Sequence, residues 1–219
     1  MLESWHSVKT EIERMNRDQA MNDIESTWDK RLQIQTSGRD DTHSDLYRYP
    51  YEPTPYCVLE RLADSGFITK GDTVLDYGCG KGRVGFFLSY RTKSDSIGIE
   101  YDRRIYQMAL KNLNTALLRA KTKFMPTRAE AYKVPPEVNR CYFFNPFSVE
   151  ILRKVIARIL ESYYENPREI LLFFYYPSDE YIAYLMTVEK LDFYDEIPCD
   201  DLFPENSQRE RILIFALSH

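Results

Sequence analysis

The sequence predicts an α/β fold, a mostly parallel seven-stranded sheet with helices on both faces. From Pro55 onward, short apolar runs alternate with amphipathic stretches at helical spacing, the pattern of parallel strands joined by crossover helices. A glycine-rich turn stands between the first strand and its helix. The last two apolar runs follow one another without a helix between them. That makes the last strand antiparallel and is expected to place the antiparallel pair at a sheet edge. A chain of 219 residues, 43% hydrophobic and 29% charged, suits one domain with a substantial core.

The elements follow in order. Residues 3–30 read as helix, because Trp5, Val8, Ile12, Met15, Ile24 and Trp28 recur near helical spacing among charges. Residues 31–55 form a polar, turn-rich connector holding Ser37-Gly38 and few aliphatics. Residues 1–50 thus make an N-terminal helical extension, and 51–219 the ligand-binding domain. A helix over 56–65 stops at Gly66. Strands are expected over 73–76, 96–100, 123–126, 140–144 and 169–175, with helices over 82–90, 103–120, 149–164 and 178–190. Strands over 193–197 and 211–217 close the chain. Apolar runs such as 170–176 are far short of the ~20 residues of a membrane span, so no membrane partner is expected.

The net charge is −5, which weighs against a dedicated nucleic-acid binder, whose affinity comes from phosphate contacts. Arg103, Arg104, Lys111, Arg119, Lys121, Lys123 and Arg128 gather around the third sheet helix and read best as a solvated face. Asp195, Glu196, Asp200, Asp201 and Glu205 fall between the last two strands. They are expected to form an acidic rim beside the ligand edge that repels phosphate. Seventeen tyrosines cluster mainly at 47–56 and 163–184. Cys57, Cys79, Cys141 and Cys199 lack CxxC spacing, and His6, His43 and His219 stand apart from them, so no metal site is expected. Scattered thiols fit a reducing, cytoplasmic location.

The chemistry concentrates in Asp76-Tyr77-Gly78-Cys79-Gly80-Lys81-Gly82-Arg83. Alternate glycines let the backbone turn sharply and approach a ligand closely. The helix beyond presents free N–H groups and a positive dipole end. In a dinucleotide enzyme that end faces pyrophosphate; in an S-adenosylmethionine (SAM) enzyme it faces a carboxylate. An ordinary tight strand–helix turn is the structural alternative. The spacing is GxGxG and not GxGxxG, and Asp76 stands two residues before the first glycine, where a carboxylate can accept from the ammonium of a bound amino acid. The second strand ends in Gly98-Ile99-Glu100, placing a carboxylate where it can accept both ribose hydroxyls.

These residues resemble motifs I and II of the class I SAM-dependent methyltransferases, and the resemblance runs from about Tyr51 to the C-terminus. Trp28-Asp29-Lys30-Arg31 with Thr36-Ser37-Gly38, Tyr51-Glu52-Pro53-Thr54-Pro55 and Phe144-Asn145-Pro146-Phe147 are similar to signatures of a bacterial methyltransferase group. Trp28 stands where that group carries Phe. The resemblance implies a Rossmann-like fold, SAM as cofactor and S-adenosyl-L-homocysteine as product. It implies that the loop Thr127-Arg128-Ala129-Glu130 contacts adenine, that Tyr51 and Thr54 fold across the cofactor, and that Asn145-Pro146-Phe147 presents the acceptor. The candidate cofactor-binding residues are Asp76, Gly78, Cys79, Gly80, Gly82, Arg83, Glu100, Tyr101, Ala129, Glu130, Asn145 and Thr54. The candidate catalytic residues are Asn145, Phe147 and Tyr51.

Methyl transfer needs a nucleophile held in line at ~3 Å with water excluded. The Asn145 carbonyl would accept from an amine, and Phe147 and Tyr51 would stack on a flat group or a cation. Asn-Pro-Phe is one proline short of the NPP[YF] signature of enzymes that methylate planar amino groups. Cys141 reads as a small buried hydrophobe and not as a nucleophile. The favoured acceptor is a nitrogen of a small molecule or a protein. An RNA or DNA base methyltransferase and a non-catalytic SAM-binding partner subunit are the alternatives, and a dehydrogenase is a distant one.

Overall fold

The computed structural model describes residues 19, 21–42, 47–117, 121–203 and 207–217. Helix α1 covers 21–32. After it come α2 (Tyr56–Asp64), β1 (Thr73–Tyr77), α3 (Arg83–Thr92), β2 (Asp95–Glu100), α4 (Arg103–Thr115), β3 (Thr122–Pro126), β4 (Arg140–Phe143), α5 (Val149–Glu165), β5 (Ile170–Tyr175), α6 (Asp179–Leu185), β6 (Asp192–Pro198) and β7 (Arg211–Leu217). All seven expected strands are present. The part of the expected N-terminal helix over 3–18 lies outside the described residues.

The strands order as β3-β2-β1-β4-β5-β7-β6. Pairings among β1 to β5 are parallel, and β7 is antiparallel to both of its neighbours. The antiparallel pair thus stands at the sheet edge as expected, with β7 inside and β6 outermost. Burial explains the choice. From Ile212 to Leu217 every β7 residue is buried, whereas Asp192, Phe193, Tyr194 and Asp195 of β6 face solvent. The wholly apolar strand takes the doubly covered position.

Strand order reverses direction between β1 and β4, so the crevice beyond their carboxyl ends is the topological switch point where open α/β sheets bind ligands. Tyr77, Phe143 and Phe174 are paired rungs of β1, β4 and β5. Their rings stack at centroid spacings of 4.7 and 4.5 Å, which stiffens the sheet beneath that crevice.

One face packs α5 and α6 through Leu152, Ile156, Ile159, Tyr181 and Leu185. The other packs α2 and α3, and the N-terminal extension joins the same core through Trp28, Leu32 and Ile34. Trp28 meets Phe87 edge-on at 4.8 Å, and its indole N–H donates to Glu60 at 3.1 Å.

Two helices are shorter than expected. α4 ends at Thr115, and Ala116 turns extended; residues 118–120 lie outside the described set. α6 ends at Leu185 because Thr187 and Val188 bond back only three residues, to Tyr184 and Leu185. Two consecutive β-branched residues favour that tightened turn over continued helix.

Candidate functional site: a strapped cleft at the carboxyl edge of the sheet

Residues 78–82 connect β1 to α3. The N–H groups of Gly78 and Cys79 both donate to the Ile99 carbonyl at 3.0 Å, drawing the loop over β2. Gly78 and Gly80 have φ of +76° and +55°, the left-handed region that disfavours side chains. A Cβ on Gly78 would stand 2.6 Å from the Pro146 side chain, and one on Gly80 2.1 Å from the Tyr51 ring. The close approach that demands glycine is thus to this protein's own strap and turn. At Gly82, the N-cap of α3, a Cβ would meet Phe124 at 2.4 Å.

Glu100, at the end of β2, accepts the Gly80 N–H at 3.1 Å and the Asp102 N–H at 2.8 Å. Burial raises its carboxyl to about 7, against the pull of those N–H groups. Asp76 is 3% exposed, and its Oδ2 has no hydrogen-bond partner among the described residues. Burial, reinforced by the charge of Glu100, pushes its carboxyl up to about 8. The Cys79 thiol beside them is likewise raised by burial, with Asp76 and Glu100 adding to the effect.

The cleft wall continues through Ala129 and Glu130. The Ala129 N–H, at the start of a short 3₁₀ turn (Ala129–Ala131), is taken by no backbone acceptor among the described residues. The Glu130 carboxylate, in contrast, is held by Arg48 at 3.0 Å, and the Arg48 guanidinium lies 4.8 Å over the Tyr101 ring.

Residues 40–42 and 47–54 strap this cleft. Asp40 and Tyr51 exchange backbone hydrogen bonds of 3.0 Å, and Arg104 grips the Asp40 carboxylate at 2.6 and 2.8 Å. The Tyr49 N–H donates to the Pro146 carbonyl at 3.3 Å, and the Ser148 N–H to the Tyr47 carbonyl at 2.8 Å. The Tyr51 hydroxyl donates to the Thr36 carbonyl, and the cation over its ring is Lys81, at 4.7 Å. Thr54 is buried, with its hydroxyl 3.0 Å from that of Tyr142. With the strap closed, the free space left in the cleft is about 90 Å³.

Arg83 is 2% exposed. It donates to the Thr36 hydroxyl at 2.7 Å, to the Thr54 carbonyl at 3.1 Å and to Glu25, while its Nη2, 3.9 Å from the Asp29 carboxylate, has no hydrogen-bond acceptor among the described residues. It lines the cleft and also ties α1 and the connector to α3.

Tyr51, Thr54, Asp76, Gly78, Cys79, Arg83, Glu100, Tyr101, Ala129, Glu130 and Phe147 line this one cleft. Gly80 and Gly82 shape the loop from behind. Asn145 does not line it. Asn145, at φ +36°, turns its amide to the β5–α6 connection. Its Nδ2 donates to the Tyr176 carbonyl, and its Oδ1 accepts the Ser178 N–H at 3.3 Å. Asn145 lines instead a second cavity of about 440 Å³, which shares Tyr49, Pro50, Glu52 and Phe144 with the cleft.

The charged surfaces also differ from expectation. Asp195 and Glu196 lie within β6, and Asp201 is held by Arg61 at 2.8 Å, so the rim is partly neutralised. Glu205 lies outside the described residues. Of the basic cluster, Arg104 is bound to Asp40 and Lys121 to Asp95 at 3.0 Å; Arg119 lies outside the described residues. Cys141 is buried in β4 with its thiol raised to about 12 by burial. No described helix is long and apolar enough to cross a membrane. Sequence reasoning did not single out Arg48, Asp40, Asp29, Tyr142 or Glu210 for this region. Asp40, Arg48 and Tyr142 line the cleft and Glu210 the second cavity, whereas Asp29 holds Thr36 and Tyr56.

No family model and no curated protein matches this chain. Solved structures do share its architecture. An RNA methyltransferase from Salinibacter ruber, in complex with S-adenosyl-L-homocysteine, gives a TM-score of 0.55 at 16% identity, covering 77% of this chain and 95% of its own. The Escherichia coli protein yhhF, named as a methyltransferase, gives 0.58 at 19% identity, covering 83% and 99%. The Pyrococcus abyssi tRNA (uracil-54, C5)-methyltransferase, also with S-adenosyl-L-homocysteine, gives 0.55 at 16% identity, covering 76% of this chain and 39% of its own. The fold is thus the Rossmann-like fold of the class I methyltransferases.

Proposed function

We propose that this chain is a SAM-dependent methyltransferase and that the strapped cleft holds the cofactor. The observation that carries the reading is the Asp76 carboxylate, buried at the end of β1 with an oxygen unpartnered among the described residues. A buried carboxylate left unpaired is costly, and the ammonium of a bound amino acid would satisfy it. The neighbouring groups match the rest of such a ligand. Nη2 of Arg83 has an N–H to offer a carboxylate. Glu100 keeps lone pairs for ribose hydroxyls beyond the two N–H groups it already accepts. The Ala129 N–H suits an adenine ring nitrogen, whereas Glu130 acts through Arg48. SAM supplies a methyl group already activated on a sulfonium, so the protein's part is to bind, align and exclude water. Tyr51 and the strap cover the cleft, and the Asn145-Pro146-Phe147 turn separates it from the second cavity.

Calorimetry tests the reading. SAM and S-adenosyl-L-homocysteine are expected to bind between low-micromolar and sub-millimolar concentrations, on the order of −5 to −8 kcal/mol. Binding of NAD without binding of SAM would overturn it. For the acceptor we favour a nitrogen of a small molecule or protein. RNA is the second reading, supported by the named activities of two of the similar structures. An RNA affinity falling steeply with salt would select it.

A further inference from the structure

We infer that the second cavity receives the methyl acceptor and selects a small, flat nitrogen base that is neutral when it enters and cationic when it leaves. The inference rests on the cleft being the methyl donor's site, and it adds the chemical class of the substrate. The cavity, about 440 Å³, falls within the range of small-molecule sites and holds one fused ring system. Its walls are rings, chiefly Phe144, Tyr175, Tyr176 and Phe203, and its only charged lining groups among the described residues are Glu52 and Glu210. Lysine, arginine and histidine are missing from that described lining; Arg209 packs on the Tyr176 ring, so an anion entering would meet two wall carboxylates against one neighbouring cation.

Position joins the cavity to the cleft. Tyr49, Pro50, Glu52 and Phe144 border both. Between them stands the turn at the end of β4, with Pro146 and Phe147 facing the cleft and Asn145 facing the cavity. The Asn145 amide is fixed by Tyr176 and Ser178, and its carbonyl keeps one lone pair for the cationic ring of the product. The Tyr175 hydroxyl donates to Glu210 at 2.6 Å and sets that carboxylate in the wall. Among the described residues Glu52 pairs with Arg39 at 3.3 Å, both side chains more than half exposed, so solvent weakens that pair and likewise the pull of Glu52 on a ligand cation. The Tyr176 ring already carries a guanidinium, that of Arg209, 4.6 Å from its centroid.

The charge balance of the reaction accounts for that lining. The acceptor's nitrogen lone pair forms a bond to the methyl carbon. The carbon–sulfur bond breaks, and its electron pair stays on sulfur, leaving a neutral thioether. The positive charge that began on sulfur ends on nitrogen, and a ring nitrogen that carries no hydrogen keeps it in the product. Carboxylates and π-faces around the acceptor stabilise charge that is absent from the neutral base and grows toward the transition state, which lowers the barrier selectively.

The test is binding, read by calorimetry with three probes of one shape: quinoline, N-methylquinolinium and quinoline-2-carboxylate. The cation is expected to bind about tenfold more tightly than quinoline, and the carboxylate more weakly than both. Glu52→Gln and Glu210→Gln, singly and together, should erase the preference for the cation while leaving quinoline binding nearly unchanged. Glu52→Gln carries the test alone if loss of the Tyr175 contact unfolds the Glu210 variant. Equal binding of all three probes, preference for the carboxylate, or a cation preference that survives both substitutions overturns the inference. So does displacement of quinoline by a short RNA. SAM binding is measured separately: SAM binding without probe discrimination defeats only this inference. Loss of SAM binding defeats the donor assignment, and the probe ranking still decides what the cavity selects.

Discussion

An Asp76 carboxylate oxygen buried without a partner among the described residues costs on the order of 1–3 kcal/mol in the ligand-free protein. Its carboxyl, at about 8, stands above the ordinary range, so at pH 5–7 the folded state holds a proton that the unfolded state has lost. Stability then falls as pH rises from about 4 to about 8. Glu100, at about 7, adds a slope of the same sign. The melting temperature without ligand is expected to drop between pH 5 and pH 8, and saturating SAM should flatten the drop by supplying an ammonium to the ionised pair. Asp76→Asn should reduce the slope to the Glu100 part and weaken SAM by roughly tenfold to a hundredfold, the worth of a hydrogen bond to a charged group. A full slope in that variant would remove Asp76 as its source. Asn145 sets a different expectation. Its amide staples the β4 turn to the β5–α6 connection, so Asn145→Ala should cost about 1–2 kcal/mol of stability and raise the acceptor KM while sparing SAM affinity. Unchanged stability with lost SAM binding would move Asn145 into the cofactor site.

The strap is the element whose state decides access. The strap lies over the cleft with its Tyr51 ring against Gly80, so it is the element expected to swing as the cofactor enters. Two ion pairs hold it closed, Arg104 on Asp40 and Arg48 on Glu130. The Arg104 grip is bidentate and draws the Asp40 carboxyl far below its usual value. Arg104→Ala should speed both association and dissociation of SAM several-fold in stopped-flow mixing, with a smaller change in the equilibrium constant, because a gate alters both rates together. A slower dissociation would show that the pair does not latch the strap. At Gly80 the same geometry predicts coupling. Gly80→Ala drives a Cβ into the Tyr51 ring, so Tyr51→Ala should recover part of the affinity that Gly80→Ala loses.

At the scale of the whole molecule, the sheet was legible because buried parallel strands are apolar runs bounded by turn residues. Asp76 and Glu100 were legible because both end strands at the switch point. The order of β6 and β7 was not, since only the finished packing chooses which strand is covered twice. Nor was the strap's path, which depends on pairs far apart in sequence, Arg104 with Asp40 across 64 positions and Arg48 with Glu130 across 82. Arg83 exceeds its expected role for the same reason. Sequence reasoning treated it as one more cofactor contact in the glycine loop, yet its guanidinium also binds Glu25 on α1, Thr36 and Thr54 on the connector, and stacks 4.2 Å over the Tyr56 ring of α2. Asp29 completes the cluster, accepting from Tyr56 and Thr36 at 2.6 Å each. The extension is therefore held to the sheet domain through one buried cation as well as through Trp28. Removing the cation would leave the Glu25 carboxylate partly buried without it, and breaking a buried pair from one side costs about 3–5 kcal/mol. Arg83→Met should lower the unfolding free energy in urea by roughly that amount and expose residues 33–42 and 47–54 to limited proteolysis. Adding Glu25→Gln should restore part of the loss, because the stranded charge goes with it. An Arg83→Met protein that unfolds within about 1 kcal/mol of the parent and resists protease in the connector would show that the apolar packing of Trp28, Leu32 and Ile34 alone secures the extension.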